Sequence, residues 1–174
     1  MNLLDVVVET KRLKLIPIKE SHVIDVYKNF TIDITQYMYP QPTGHIEDAE
    51  KFVLSSIDGL KAGTNLQMVT LDKETDEFLG CIGLHNVGTE DPELGLWIKK
   101  SAHKNGYGLE AIRGLVKWAR ENLDFDHFKC PVDRNNSRVR RIPLVLGGKM
   151  VKAYKRLNMD SSKELDIVEY WINK

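Results

Sequence analysis

Residues 11–18 alternate polar and apolar side chains and predict a first strand. From residue 21 the period changes. Val23, Ile24, Val26 and Tyr27 supply one apolar face of a helix to about residue 30, with Ser21 placed to cap it. Residues 37–44 contain Pro40, Pro42 and Gly44, which rule out regular structure. This loop also carries Tyr37, Met38 and Tyr39, apolar for a solvated segment, so it either walls a substrate pocket or covers the core. A second helix over about 47–60 puts Ala49, Phe52, Val53 and Ile57 on one side. Three strands follow at 65–71, 78–87 and 93–99. The connections at 72–77 and 88–92 are short, which predicts an antiparallel meander. Gly80 and Gly83 break the middle strand and mark where a backbone or ligand approaches closely.

Helical spacing returns with Leu109, Ile112, Leu115, Val116 and Ala119, giving a long helix over about 106–122. Residues 127–133 read as a further strand, reached by a right-handed crossover and parallel to 93–99. Pro131 cannot donate to a ladder, so a gap is expected between these two strands. A short helix at about 136–146 ends on Gly147 and Gly148, and Pro143 either kinks it or marks its true first turn. Strands at 149–156 and 164–172 close the order β-α-α-β-β-β-α-β-α-β-β. The expected fold is therefore α/β of the α+β kind, with a mixed, mostly antiparallel sheet of about seven strands and four helices, in one domain over 1–174.

The stretch His103-Lys104-Asn105-Gly106-Tyr107-Gly108 lies between a strand and the long helix. A helix's first turn leaves N–H groups without partners and carries partial positive charge. Glycines let a bulky anion reach that backbone, so a phosphate or pyrophosphate is the expected guest, and a plain strand-to-helix turn the alternative. Residues 106–111 also fit the dinucleotide fingerprint G-x-G-x-x-A, with Asp126 near the place of a ribose-binding acid. That fingerprint opens a series of βα units. Here only one crossover follows the turn, so topology excludes the dinucleotide reading.

Composition removes other classes. Lys plus Arg and Asp plus Glu both total 25, giving no global charge to attract nucleic acid or a membrane surface. Cys81 and Cys130 lie far apart in apolar runs, without metal or redox spacing, and are expected to be reduced core thiols. The five histidines do not cluster as metal ligands. The N-terminal residues lack a basic region and a small-residue cleavage site, and no stretch reaches membrane-spanning length, so a cytoplasmic chain is expected.

Four motifs in order resemble one family. Glu9-Thr-Lys-Arg-Leu-Lys-Leu-Ile-Pro17 is similar to a T-x-R-L-x-L-R-P opening, and Glu93-Leu-Gly-Leu-Trp-Ile98 to an E-[IL]-G-Y-W-[IL] strand. Asn105-Gly-Tyr-Gly-Leu-Glu-Ala111 is similar to K-G-Y-[AG]-x-E-A, and residues 136–148 to N-x-x-S-x-x-I-P-x-x-L-G-[FG]. Together they resemble the ribosomal-protein N-acetyltransferase (RimJ/RimL-like) branch of the GNAT superfamily. The resemblance implies acetyl-CoA as co-substrate, no metal, and a sheet splayed between its fourth and fifth strands where pantetheine lies as an imitation strand. It implies that backbone groups of His103, Lys104, Asn105, Gly106, Tyr107 and Gly108 cradle the pyrophosphate. The edge of Leu96, Trp97 and Ile98 would bond pantetheine and polarise the thioester, with Asn136 adding a bond near its cysteamine end. Arg141, with Lys104, Arg134, Arg138 and Arg140, forms a local basic cluster suited to the adenosine 3′-phosphate, or a solvated helix face.

The chemistry so implied is attack of an amine on the thioester, which needs a base near neutral pKa. Glu93, at the start of the splaying strand, is the candidate, its pKa raised by burial; a solvent-facing strand end is the alternative. His45 and His85 are alternative bases, and Glu110 is read as helix-stabilising. The pattern departs in two places. Val139 stands where the branch has Ser, and Pro143 where many members place a Tyr acid, so no general acid is assigned. His103 also stands where Gln, Arg or Trp is common, which leaves the turn's backbone role intact. The expected activity is acetyl transfer to a protein N-terminal α-amine or a small-molecule amine, and the other reading is a CoA-binding sensor without turnover. The final strand is a place where a homodimer could pair.

Overall fold

The computed structural model describes residues 2–174. Its strands are β1 (Val8–Glu9), β2 (Leu13–Pro17), β3 (Leu66–Asp72), β4 (Phe78–His85), β5 (Glu93–Ile98), β6 (His127–Asp133), β7 (Lys149–Leu157) and β8 (Glu164–Asn173). The helices are α1 (Val23–Asn29), α2 (Ile32–Thr35), α3 (Ile46–Ala62), α4 (Tyr107–Asn122) and α5 (Ser137–Val145). All strands join one sheet in the order β1-β2-β3-β4-β5-β6-β8-β7, antiparallel except for β5 beside β6.

The fold class is the expected one. Among the described residues the counts rise to eight strands and five helices because β1 and α2 are too short to carry a period. Ser21 does not cap a helix. The chain enters α1 through a 3-10 turn, Glu20–His22, whose N-cap is Lys19, and His22 Nδ1 accepts the Lys19 N–H at 3.0 Å. Pro143 lies within α5 rather than opening it. The helix then closes as a Schellman motif: Gly148 N donates to Pro143 O at 2.7 Å and Gly147 N to Leu144 O at 3.1 Å. Gly147 takes φ +79, and a Cβ on Gly148 would stand 2.7 Å from the Pro143 oxygen. Both glycines are required.

Two layers of helices cover the sheet. α1 packs on β4 and α3 on β3, while α4 packs on β5, β1 and β2, and α5 on β6 and β8. β4 is buried along seven of its eight residues, as expected of a strand covered on both faces. In β5 the faces separate cleanly. Trp97 meets the Phe30 and Phe78 rings at 5.3 and 5.8 Å on one side, while Leu96 and Ile98 face Gly108 of α4 on the other. Cys81 and Cys130 are free and buried, and burial pushes the Cys130 thiol up to about 12. β8 is not an edge. β6 and β7 pair with it on both sides, so the final strand offers no free edge for a dimer, and the outer edge of the sheet there belongs to β7.

Candidate active site

β5 and β6 pair only at Glu93 and Lys129, where the Lys129 N–H donates to Pro92 O at 2.9 Å. Beyond that point the strands part. Successive residues of a strand point their backbone groups to opposite edges. Lys129 N–H points to β5, so the ring nitrogen of Pro131, two residues on, also faces β5 and has no hydrogen to offer. The proline thus removes the donor that would zip the strands together.

The same alternation reads the opposite wall. Lys99 N–H donates to Leu79 O at 2.8 Å, which turns Lys99 and Trp97 toward β4 and leaves Leu96 and Ile98 facing the gap. Trp97 therefore spends its backbone on its partner Cys81, and contributes its indole to the packing instead. The Ile98 carbonyl meets His103 Nε2 at 2.7 Å, which places the imidazole hydrogen on that nitrogen. The gap is left with the Leu96 and Ile98 N–H groups and the Leu96 carbonyl, in the spacing an extended amide-bearing chain would match.

A 3-10 turn, Lys100–Ala102, leads from β5 to the glycine turn. Lys104 and Gly106 both take left-handed backbone, at φ +67 and +78. A lysine in that region is strained, and it is held by its neighbours. Asn105 Nδ2 donates to Ala102 O and to His103 O, both at 3.1 Å. Gly106 caps α4 without a side chain, and the first intrahelical bond is Glu110 N to Gly106 O at 3.1 Å. The first-turn N–H groups are thereby left for an outside acceptor. A Cβ on Gly108 would stand 3.1 Å from Leu96 Cδ1, so the helix start sits tight against the gap.

Glu93 lies at the closed end of the gap, between His85 of β4 and Lys129 of β6. Burial raises its pKa, the Glu169 carboxylate raises it further, and Lys129 and Arg156 oppose the rise. Glu169 is only 4 % exposed; it accepts Trp171 Nε1 at 2.8 Å and pairs with Lys152 at 3.3 Å. Lys129 is held by Asp91, whose partnership raises the lysine's pKa. Tyr154 of β7 is raised by burial and then by Glu169 and Glu93, so its hydroxyl belongs to the same neighbourhood. Glu169, Lys129 and Tyr154 were not singled out by sequence reasoning. Their only signal is a polar residue alternating with apolar ones on a strand.

The other expected residues scatter. His85 leans over β4 and β5, with Nε2 3.2 and 3.5 Å from where Cβ atoms on Gly83 and Gly95 would lie, and burial lowers its pKa. His45 is the N-cap residue of α3. Asn136 is the N-cap of α5, with Oδ1 accepting the Val139 N–H at 3.3 Å, which leaves its amide hydrogens for a ligand. Two of the five basic residues are committed to the fold. Arg134 pairs with Asp166 at 2.9 Å, and Arg140 donates to Arg134 O at 3.0 Å and Tyr170 OH at 3.3 Å. Arg138 and Arg141 are exposed. The loop at 37–44 covers the core. Met38 packs on the core, while Tyr39 O accepts the Met159 N–H at 2.8 Å and its ring lies 3.8 Å from Arg156, tying the loop to the β7–β8 turn.

The family model described as Acetyltransferase (GNAT) domain matches residues 12–149. The chain belongs to the GNAT acetyltransferase family. Solved structures share its fold over nearly the whole length. The acetyltransferase from Salmonella typhimurium that modifies the N-terminal serine of 50S ribosomal subunit protein L7/L12 superposes with a TM-score of 0.84 at 16% identity, covering 97% of this chain and 99% of that one. A ribosomal-protein-S5-alanine acetyltransferase from Vibrio fischeri gives 0.79 at 15% identity, covering 98% of each chain. The microcin C7 self-immunity acetyltransferase MccE, solved with acetyl-CoA and AMP, gives 0.83 at 13% identity, covering 95% of this chain and 94% of that one. No curated protein sequence matches the chain.

Proposed function

We propose that this GNAT acetyltransferase moves the acetyl group of acetyl-CoA to a primary amine, with Glu93 as the base. The observation that carries the proposal is the convergence at one gap of unpaired strand-edge groups, a glycine turn with free N–H donors, and a half-buried carboxylate whose pKa is raised. The co-substrate supplies an activated thioester. The Leu96 carbonyl and the Leu96 and Ile98 N–H groups match its pantetheine amides, and the turn from His103 to Gly108, with Lys104, Asn105, Gly106 and Tyr107, takes the pyrophosphate. Asn136 stands ready with its amide hydrogens, and the exposed Arg141 with its charge for the 3′-phosphate.

In the transfer the amine nitrogen bonds to the acetyl carbon, the carbon–sulfur bond breaks, and CoA leaves as a thiolate. The amine's surplus proton passes to Glu93, whose raised pKa makes it a stronger base than an ordinary carboxylate. A thiol pKa of about 8.5 lets the thiolate depart without a dedicated acid. The acceptor is a protein N-terminal α-amine or a small-molecule amine, bound on the Glu93 face under the loop at 37–44, in a cytoplasmic setting.

The test is thiol release from acetyl-CoA across a panel of N-terminal peptides, polyamines and aminoglycosides, run beside calorimetric titration of CoA. Turnover with one acceptor class, lost in Glu93→Gln with CoA affinity intact, supports the proposal. CoA binding without turnover on any acceptor points to a sensor, and absence of CoA binding sinks both readings.

A further inference from the structure

The turn that faces the co-substrate is gripped from outside by a residue near the start of the chain. Arg12, in the connection between β1 and β2, sends Nε to Glu110 Oε2 at 2.7 Å and Nη2 to the Asn105 carbonyl at 3.0 Å, and its guanidinium carbon lies 4.6 Å from the centre of the Tyr107 ring. Glu110, one turn into α4, accepts two further bonds from the same connection. The Thr10 hydroxyl donates to Oε1 at 2.6 Å and the Arg12 N–H to the same oxygen at 2.8 Å. Burial works to raise the Glu110 pKa, yet the bonds from Thr10 and Arg12 prevail and the net shift is downward.

Stability alone does not account for this arrangement. The guanidinium is 43 % exposed, and an ion pair with one partner so open to solvent contributes modestly. What the contacts do is fix geometry. Asn105 and Tyr107 flank Gly106, and the strained Lys104 backbone precedes them, so the clamp seizes both sides of the segment whose N–H groups must point one way. The connection itself is anchored. The Lys73 N–H donates to Arg12 O at 2.8 Å, and Thr10 N donates to Leu13 O at 2.9 Å. The turn is thus tied to the far half of the β1–β5 sheet as well as to its own helix.

We infer that Arg12 and Glu110 are positioning residues for co-substrate binding, holding the glycine turn in its phosphate-receiving conformation. This role rests on the proposed function. It acts through preorganisation: when the receptive conformation is a fraction of the population, affinity falls by that fraction. Because Glu110 neutralises Arg12, the pair works by geometry and not by adding positive charge at the turn.

The experiment compares wild type with Arg12→Ala, Arg12→Lys and Glu110→Gln. For each, calorimetry gives the affinity for CoA and for pantetheine, which lacks the pyrophosphate, and thermal unfolding reports folding. The expected result is a loss of about 3–10-fold in CoA affinity for both Arg12→Ala and Glu110→Gln, with Arg12→Lys between them and wild type. Pantetheine affinity should stay within about twofold. The Glu110 variant separates geometry from charge, since it frees the Arg12 cation. CoA binding that tightens in Glu110→Gln while weakening in Arg12→Ala overturns the positioning role in favour of simple charge. CoA affinity unchanged in both variants, whatever their melting temperature, overturns it too, as does an equal loss for pantetheine. A wild-type chain that does not bind CoA refutes the proposed function itself, and this role with it.

Discussion

At Gly80 the backbone of β5 leaves no room for a Cβ, and replacing it with alanine tests how much the gap depends on the sheet behind it. Its φ of +157 is nearly confined to glycine, and a Cβ built there lies 2.1 Å from the Trp97 oxygen and 2.8 Å from Ile98 Cα. Real Cβ contacts do not fall below 3.0 Å, so the strands must part by about 0.9 Å, the difference between 3.0 and 2.1. The adjacent Lys99 N to Leu79 O bond, at 2.8 Å, would then stretch beyond hydrogen-bonding range. Losing it and its Trp97–Cys81 neighbour costs about 1–3 kcal/mol together. Backbone strain adds about 1–3 kcal/mol. A total near 4 kcal/mol is a large part of ordinary domain stability and corresponds to a melting temperature lower by roughly 8–16 °C. Urea unfolding followed by tryptophan fluorescence measures it directly, since Trp97 reports from the strand concerned. A loss below about 1 kcal/mol with an unchanged denaturant slope would refute the reasoning, because the two strands would then not be in van der Waals contact at this point.

Glu93→Gln should lower turnover by about 10²–10⁴-fold, and the wild-type rise of kcat/KM with pH, through a pKa above the usual carboxylate range, should disappear with it. The same substitution should stabilise the protein at neutral pH. The folded-state pKa is raised, so Glu93 favours folding only while protonated and loses that contribution as pH rises through the folded value; melting curves should converge again in acid. Asp133 is 2 % exposed and accepts Asn135 N at 2.8 Å and Asp166 N at 3.0 Å, so Asp133→Ala should cost about 2–4 kcal/mol in chemical denaturation and loosen the approach to Asn136. Asn136→Ala should remove the α5 cap for about 1 kcal/mol and weaken CoA binding in calorimetry.

How much of this was legible depended on distance along the chain. α4 and the β3–β5 meander were read from their periods, and Pro131 announced the gap before any pairing was known. β1 and α2, at two and four residues, leave no period to detect. Ser21 offered good cap chemistry, but the backbone passes it inside a 3-10 turn that His22 closes by accepting the Lys19 N–H. Backbone direction at Trp97 follows from register parity, which needs the partner strand. Glu169 was invisible as a neighbour of Glu93 because their meeting depends on β8 inserting between β6 and β7. Glu110 was read as helix-stabilising, whereas its carboxylate bonds Thr10 and Arg12. Its grip on Arg12, 98 residues away, was not readable from the helix alone.

The single bridge between Glu93 and Lys129 also divides the sheet mechanically. On one side β1 to β5 form a continuous antiparallel ladder, and on the other β6, β8 and β7 form a second. With a proline guarding the seam, the two ladders are joined by backbone only at their Glu93 end, and their amides should exchange with solvent as two separately opening units. A guest that hydrogen-bonds one ladder and packs against the other would act as the missing strand. Its binding would then register far from the gap, as slower exchange in β7 and β2 alike, so the co-substrate becomes a late-arriving piece of the protein's own architecture.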